Sequence, residues 1–221
     1  MVSLLDIIGP VMVGPSSSHT AGACRIALLA RTMVGGQPES AFLELHGSFA
    51  KTGSGHGTDR ALAGGLLGFR PDDERLRSSL TLAADAGLDL RFEPVKLRGA
   101  HHPNTARITV ERGGQRVRIV GSSLGGGRIV VTEIDGFPVE ITGEYFTLVV
   151  EADDKPGVVS AVTAALARDK VNVASMRVSR HQKGGQAIHI YELDEPASPD
   201  GLAAILALPA VHMVRPLDRV S

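Results

Sequence analysis

Apolar residues recur at helical spacing from Ala23, with Ala23, Ile26, Ala27 and Ala30 at i, i+3, i+4 and i+7. The pattern continues to Met33 and Val34 before Gly35-Gly36 stops it. This predicts an amphipathic helix. Ala41, Leu43 and Leu45 then alternate with Phe42, Glu44 and His46, as in a half-buried strand. That strand runs into a polar, glycine-rich stretch, HGSFAKTGSGHGTDRAL, read as a loop leading to a helix. Leu76, Leu80, Ala83 and Ala84 mark a further helix, and Leu88, Leu90 and Phe92 alternate as a strand. Three β-like runs follow, Ala106 to Glu111, Val117 to Gly121 and Arg128 to Ile134, separated by turn chemistry at Gly113-Gly114 and Gly125 to Gly127. Helices with a largely antiparallel sheet are therefore expected in the first domain.

Gly136, Pro138 and Gly143 loosen the pattern between Asp135 and Glu144, so a domain boundary is placed there, giving domains at 1–140 and 145–221. Beyond it, Phe146 to Val150 reads as a strand, Pro156 to Arg168 as a helix, and Val171 to Val178 and Gln186 to Leu193 as paired strands. Pro199 to Leu206 reads as a helix and Val211 to Pro216 as a last strand. The order βαββαβ is the ferredoxin-like plan. The fold class is α+β.

Composition narrows the function. A formal net charge of −1 and 4% aromatic residues provide neither the basic field nor the stacking platforms of a nucleic-acid binder. One cysteine, Cys24, excludes a disulfide framework and a four-cysteine zinc site within one chain; a reducing cytoplasm is the natural home. On a helix face, Cys24 reads as an inert buried thiol. The apolar start, MVSLLDIIGPVMVGP, lacks basic residues, carries Asp6 and is broken at Gly9-Pro10 and Gly14-Pro15, unlike a signal peptide or membrane span; it reads as a short buried strand or helix turn.

The densest chemistry lies in GPSSSHTAG, Gly14 to Gly22, immediately before the first helix. Hydroxyls that donate and accept, an imidazole that exchanges protons near neutral pH, and unsatisfied helix-start amides together make a polar ligand cradle. A helix cap needs one such side chain, and this segment offers several. HExxH is absent, and the Gly47 to Thr52 run lacks the Gly-Lys of a nucleotide P-loop. Neither a Schiff-base lysine nor a phosphate cup for pyridoxal phosphate is visible.

GPSSSHTAG, HGSFAKTGSGHGTD, HHPNT and GSSLGGG, in that order, are followed by DDKPGVVSAV and KVNVASMRVSR. Together they resemble the β chain of iron-sulfur-dependent L-serine dehydratase. The front domain is similar to the allosteric substrate-binding domain of some phosphoglycerate dehydrogenases, and the tail resembles an ACT domain, an amino-acid-sensing module. The resemblance implies deamination of L-serine to pyruvate and ammonia, a step of amino-acid catabolism feeding gluconeogenesis, with a 4Fe-4S cluster as Lewis acid. Such a cluster needs three protein thiolates. It is therefore expected on a partner α chain, with no metal ligands in this chain, which alone would be inactive.

Residue by residue, the resemblance implies catalytic roles for His19, His56 and His102, and substrate contacts from Ser17, Ser18, Thr20, Thr58 and Asn104. His46, His101, His181, His189 and His212 fall outside its motifs. Asp59 would orient an imidazole or cap a helix. GSSLGGG either cradles an anion through backbone amides or makes a close-packed turn. In the tail, Asp153, Gly157 and Asn172 fall where related modules hold amino acids between two copies, which implies self-association through the ACT domain. The competing reading is a non-catalytic serine-sensing regulatory protein; the retained histidines favour the enzyme, because binding serine's charged groups requires no proton-transferring imidazoles.

Overall fold

The structure is a computed structural model and describes residues 11–100 and 102–220. The expected element at the extreme N-terminus lies largely, and His101 wholly, outside the described residues. The chain divides into two units, Met1–Gly136 with Val220–Ser221, and Phe137–Arg219.

In the first unit a π-helical turn, Ser17–Gly22, runs directly into α1, Ala23–Met33. The apolar spacing accounts for α1: Ile26, Ala27 and Ala30 are completely buried. β1 (Ser40–Gly47) follows, then α2 (Ser48–His56), α3 (Thr58–Leu67), a 3-10 turn over Glu74–Ser78, and α4 (Ser79–Asp85). The strands β2 (Asp89–Val95), β3 (Asn104–Arg112), β4 (Gln115–Gly125) and β5 (Arg128–Ile134) complete the unit. They take the order β2-β1-β3-β4-β5. β1 and β2 are parallel, and the other pairs are antiparallel. The sheet is thus mixed at one edge.

Two expectations need correction. The glycine-rich stretch after β1 is not a loop: Ser48–His56 is helical. Glycine costs ~1 kcal/mol relative to alanine inside a helix, so tertiary packing sustains this one, anchored by Phe49, which is fully buried. Gly57, at φ +76°, then ends α2 and starts α3 in a left-handed conformation that favours glycine. The second correction concerns GSSLGGG, whose first half is strand, since β4 extends to Gly125. A methyl on Gly121 would sit 2.7 Å from the Ile26 side chain, and one on Gly22 would enter the Ser123 side chain. Arg25 Nη1 donates to the Gly127 carbonyl at 2.6 Å. The segment is therefore a packing platform that seats α1 and the π-turn.

The second unit begins with β6 (Phe137–Ile141) and continues with β7 (Phe146–Asp153), α5 (Val158–Arg168), β8 (Val173–Arg180), β9 (Gln186–Leu193), α6 (Pro199–Leu206) and β10 (Val211–Leu217). β7 to β10 form an antiparallel sheet in the order β10-β7-β9-β8, the ferredoxin-like arrangement. Leu148, Val150, Tyr191 and Leu193 of the sheet pack with Val162, Leu166 and Ile205 of the two helices. Gly157, at φ +91°, starts α5, and Ser198 caps α6 by accepting from the Gly201 amide at 3.0 Å.

Candidate active site

The sequence around His19 folds so that its ring is gripped from both ends. Ser16 is the N-cap of the π-turn, and its Oγ accepts from the His19 amide at 3.3 Å. The same Ser16 Oγ lies 3.2 Å from His19 Nδ1. Ser48, at the start of α2, places Oγ 3.2 Å from His19 Nε2. Phe49 meets the ring edge-on at 5.4 Å between centroids, and the ring of His56, at the end of α2, lies 5.1 Å away. Burial is the largest cause holding the His19 pKa below the ordinary value of 6.5; the charge that His56 would carry adds to it, and a hydrogen bond with the Ser48 backbone opposes it. His19 is accordingly a neutral imidazole at pH 7.

A cleft of about 210 Å³ opens beside this pair, lined by Thr20, His56, Gly57, Arg60, Ala61 and Arg77 among others. Thr20 is 3% exposed and Thr58 completely buried, and neither hydroxyl has a hydrogen-bond partner among the described residues. Ser17 and Ser18 are half-buried in the π-turn. Asp59 turns its carboxylate back to accept from the Arg60 amide at 2.8 Å, a local contact within the first turn of α3.

HHPNT arrives at the same place through the sheet. Gly47 pairs with Asn104, and the Ser48 amide donates to the Pro103 carbonyl at 2.7 Å, so Ser48 links His19 to the segment carrying Asn104. Asn104 Oδ1 is buried without a hydrogen-bond partner among the described residues. His102 Nδ1 accepts from the Asn104 amide at 3.2 Å. Its ring lines a second cavity, of about 510 Å³, with Arg98, Thr105, Arg107, Ser122 and Leu124. The first two predicted histidines are therefore together, and His102 borders a different space.

Sequence reasoning named neither Ser16 nor Ser48 as a partner of His19. Both stood inside or beside the quoted motifs; the missing signal was the turn that folds Ser16 onto its own i+3 neighbour and the strand pairing that delivers Ser48. Phe49 was likewise invisible as the ring's floor.

In the second unit, Asp153 is held by Lys155 Nζ and His212 Nε2, each at 2.7 Å, and the Lys155 hydrogen bond leads in keeping its carboxyl below the usual range. Asn172 Nδ2 donates to Asp194 Oδ2 at 2.7 Å. Asp153 pairs with Gln186 at the start of β9, whereas Val173, next to Asn172, pairs with Leu193 at its end. Within one chain Asp153 and Asn172 thus stand at opposite ends of the sheet.

The thiol of Cys24 is buried, donates to the Phe69 carbonyl at 3.1 Å, and is pushed up to about 12 mainly by burial. A cluster with one open iron needs three protein thiolates, and Cys24 is the one cysteine of the sequence. Among the described residues no group of three or more His, Cys, Asp or Glu side chains is placed to hold a metal ion. An iron-sulfur cluster does not fit this chain's own residues.

Comparison with known proteins adds the lineage. Residues 3–86 match the model of the serine dehydratase beta chain, and residues 146–210 match that of the ACT domain. The L-serine dehydratase beta chain of Peptoniphilus asaccharolyticus is 41% identical over 207 residues, covering 93% of each chain. The chain belongs to the L-serine dehydratase β-chain family. The probable L-serine dehydratase beta chain of Bacillus subtilis is also 41% identical, over 96% of each chain. A D-3-phosphoglycerate dehydrogenase from Methanocaldococcus jannaschii is 28% identical over 111 residues, 50% of this chain and 21% of that protein. No helix among the described residues is long and apolar enough to cross a membrane.

Proposed function

We propose that this chain is the β subunit of a two-chain, 4Fe-4S-dependent L-serine dehydratase of the cytoplasm, converting L-serine to pyruvate and ammonia. The observation that carries the reading is the His19–His56 pair, a neutral imidazole clamped by two serines at the edge of a small cleft. Family membership supplies the reaction class. The cluster belongs to the α chain, where it would act as a Lewis acid.

This chain's part is to bind serine and move protons. Serine's α-proton is a weak acid, and its removal needs a base neutral near pH 7 and shielded from bulk water. His19 takes that proton at Nδ1, the nitrogen that faces the Ser16 hydroxyl, once substrate displaces that hydroxyl. Loss of the β-hydroxyl as water then gives an enamine, which tautomerises and is hydrolysed to pyruvate and ammonia. His56 shares the proton load, since two adjacent imidazolium ions repel. Ser17, Ser18, Thr20, Thr58 and Asn104 provide hydrogen bonds to the substrate or to the α chain. His102 enters through the family motif and acts from the second cavity. The ACT domain self-associates, with Asp153, Gly157 and Asn172 contributing from two copies to an effector site.

The test is anaerobic co-purification with the α chain, followed by pyruvate formation from L-serine with each chain alone and with both. Activity confined to the iron-loaded pair supports the split-site lyase. Serine binding by this chain with no pyruvate from any combination would establish the sensor instead.

A further inference from the structure

We propose that the cleft beside His56 is a carboxylate subsite, in which the N-terminus of α3 and the Thr20 hydroxyl hold the α-carboxylate of the amino-acid substrate. The inference rests on the lyase reading and deepens it, since it says which end of the substrate is anchored and by what.

Two independent observations converge. The first is the start of α3. This ten-residue helix begins after Gly57 with no side-chain cap. The Arg60 amide is taken by Asp59, and the start of the helix carries the positive end of its dipole. Gly57, Arg60 and Ala61 line the cleft. The second is Thr20, which is among the residues lining the same cleft. It is 3% exposed, and its Oγ1 has no hydrogen-bond partner among the described residues. A buried hydroxyl without a partner destabilises the free chain and is satisfied by a ligand acceptor.

Charge and size select the ligand class. Arg60 joins no ion pair among the described residues, and Arg77, paired with Glu74 at 3.1 Å, adds a second guanidinium at the rim. The field favours an anion. A volume of about 210 Å³ suits a small amino acid better than a nucleotide or a peptide. Thr20 follows His19 in sequence, and His56 lines the same cleft, so a carboxylate anchored there presents its α-carbon to the imidazole pair.

The experiment compares Thr20→Val, Thr20→Ser and Arg60→Gln in the assembled complex. Turnover gives kcat and KM, and saturation-transfer NMR on the same complex gives the dissociation constants of L-serine and of L-serinamide, which lacks the carboxylate charge. Thr20→Val removes a hydroxyl without changing shape and is expected to melt no lower than wild type. It should raise KM and the L-serine dissociation constant at least ten-fold, leave L-serinamide binding unchanged, and be rescued by Thr20→Ser. Arg60→Gln, at an exposed position, should weaken L-serine binding by a smaller factor that shrinks with added salt. Wild-type KM and dissociation constant in Thr20→Val, equal binding of L-serinamide and L-serine by wild type, or inorganic phosphate binding more tightly than L-serine would each overturn the subsite. A complex that turns over serine yet ignores Thr20→Val loses the subsite and keeps the lyase. One that binds serine through Thr20 and forms no pyruvate keeps the subsite and loses the lyase.

Discussion

Replacing Gly65 with alanine tests how α1 and α3 are joined. A methyl at Gly65 would fall within contact distance of the Cys24 carbonyl, 2.7 Å from Ala27 Cβ and 3.1 Å from the Leu28 amide nitrogen. Carbon atoms prefer about 3.5–4.0 Å, so α1 and α3 must part by about 1 Å. Overpacking of this kind costs ~1–3 kcal/mol, and the better helix propensity of alanine returns ~1 kcal/mol. Because backbone atoms are among those met, the upper end of that cost applies, and a net loss of about 2 kcal/mol lowers the melting temperature by roughly 4–8 °C for a unit of this size. Thermal and urea unfolding followed by far-ultraviolet circular dichroism reads the change. Gly55→Ala is the matched control: the residue is helical and a methyl there meets nothing within 4 Å, so stability should stay level or rise by up to ~1 kcal/mol. Because Thr20 precedes α1 and Arg60 rides on α3, Gly65→Ala should also raise KM in the complex. A Gly65→Ala chain that melts within a degree of wild type, or that moves together with Gly55→Ala, would refute the close crossing.

His19→Ala in the assembled complex should lower kcat by about two or more orders of magnitude, the low end of acid-base contributions; near-normal turnover would remove His19 from the chemistry. Since burial and His56 hold the His19 pKa down, the acid limb of kcat/KM should lie below 6.5, and His56→Gln should move it upward. The same shift has a stability sign. Between the lowered folded-state value and 6.5 the unfolded chain binds the extra proton, so this group's contribution weakens as pH falls through that window, measurable as a drop in urea midpoint that His19→Ala abolishes. Cys24→Ala should leave the iron content of the complex unchanged, and loss of iron would return the cluster to this chain.

Much of the fold was legible. The 3.6-residue spacing marked α1, and in the second unit Gln186–Leu193 and Pro199–Leu206 appear with the expected bounds because alternation, a serine cap and a proline at the first helical turn all agree. α2 was illegible for a physical reason: its composition argues against a helix, and Phe49, packed under His19, overrides it. GSSLGGG misled because glycine marks close packing as readily as it marks a turn. At the site, the motifs carried the histidines but not their neighbours. His19 acquires Ser48 only through the register Gly47↔Asn104 and the amide of Ser48 on Pro103, long-range pairings that no local pattern encodes.

The burial of Cys24 beneath the crossing of α1 and α3 also makes it a kinetic reporter. Alkylating reagents attack an accessible thiolate, and Cys24 is neither accessible nor ionised while Gly65 lies against its backbone. In the isolated chain, which has no other cysteine, every labelling event timestamps an excursion in which the helix pair has come apart. Iodoacetamide uptake over hours is therefore a clock for local opening at the α1–α3 crossing, and a ligand that braces the two helices slows it.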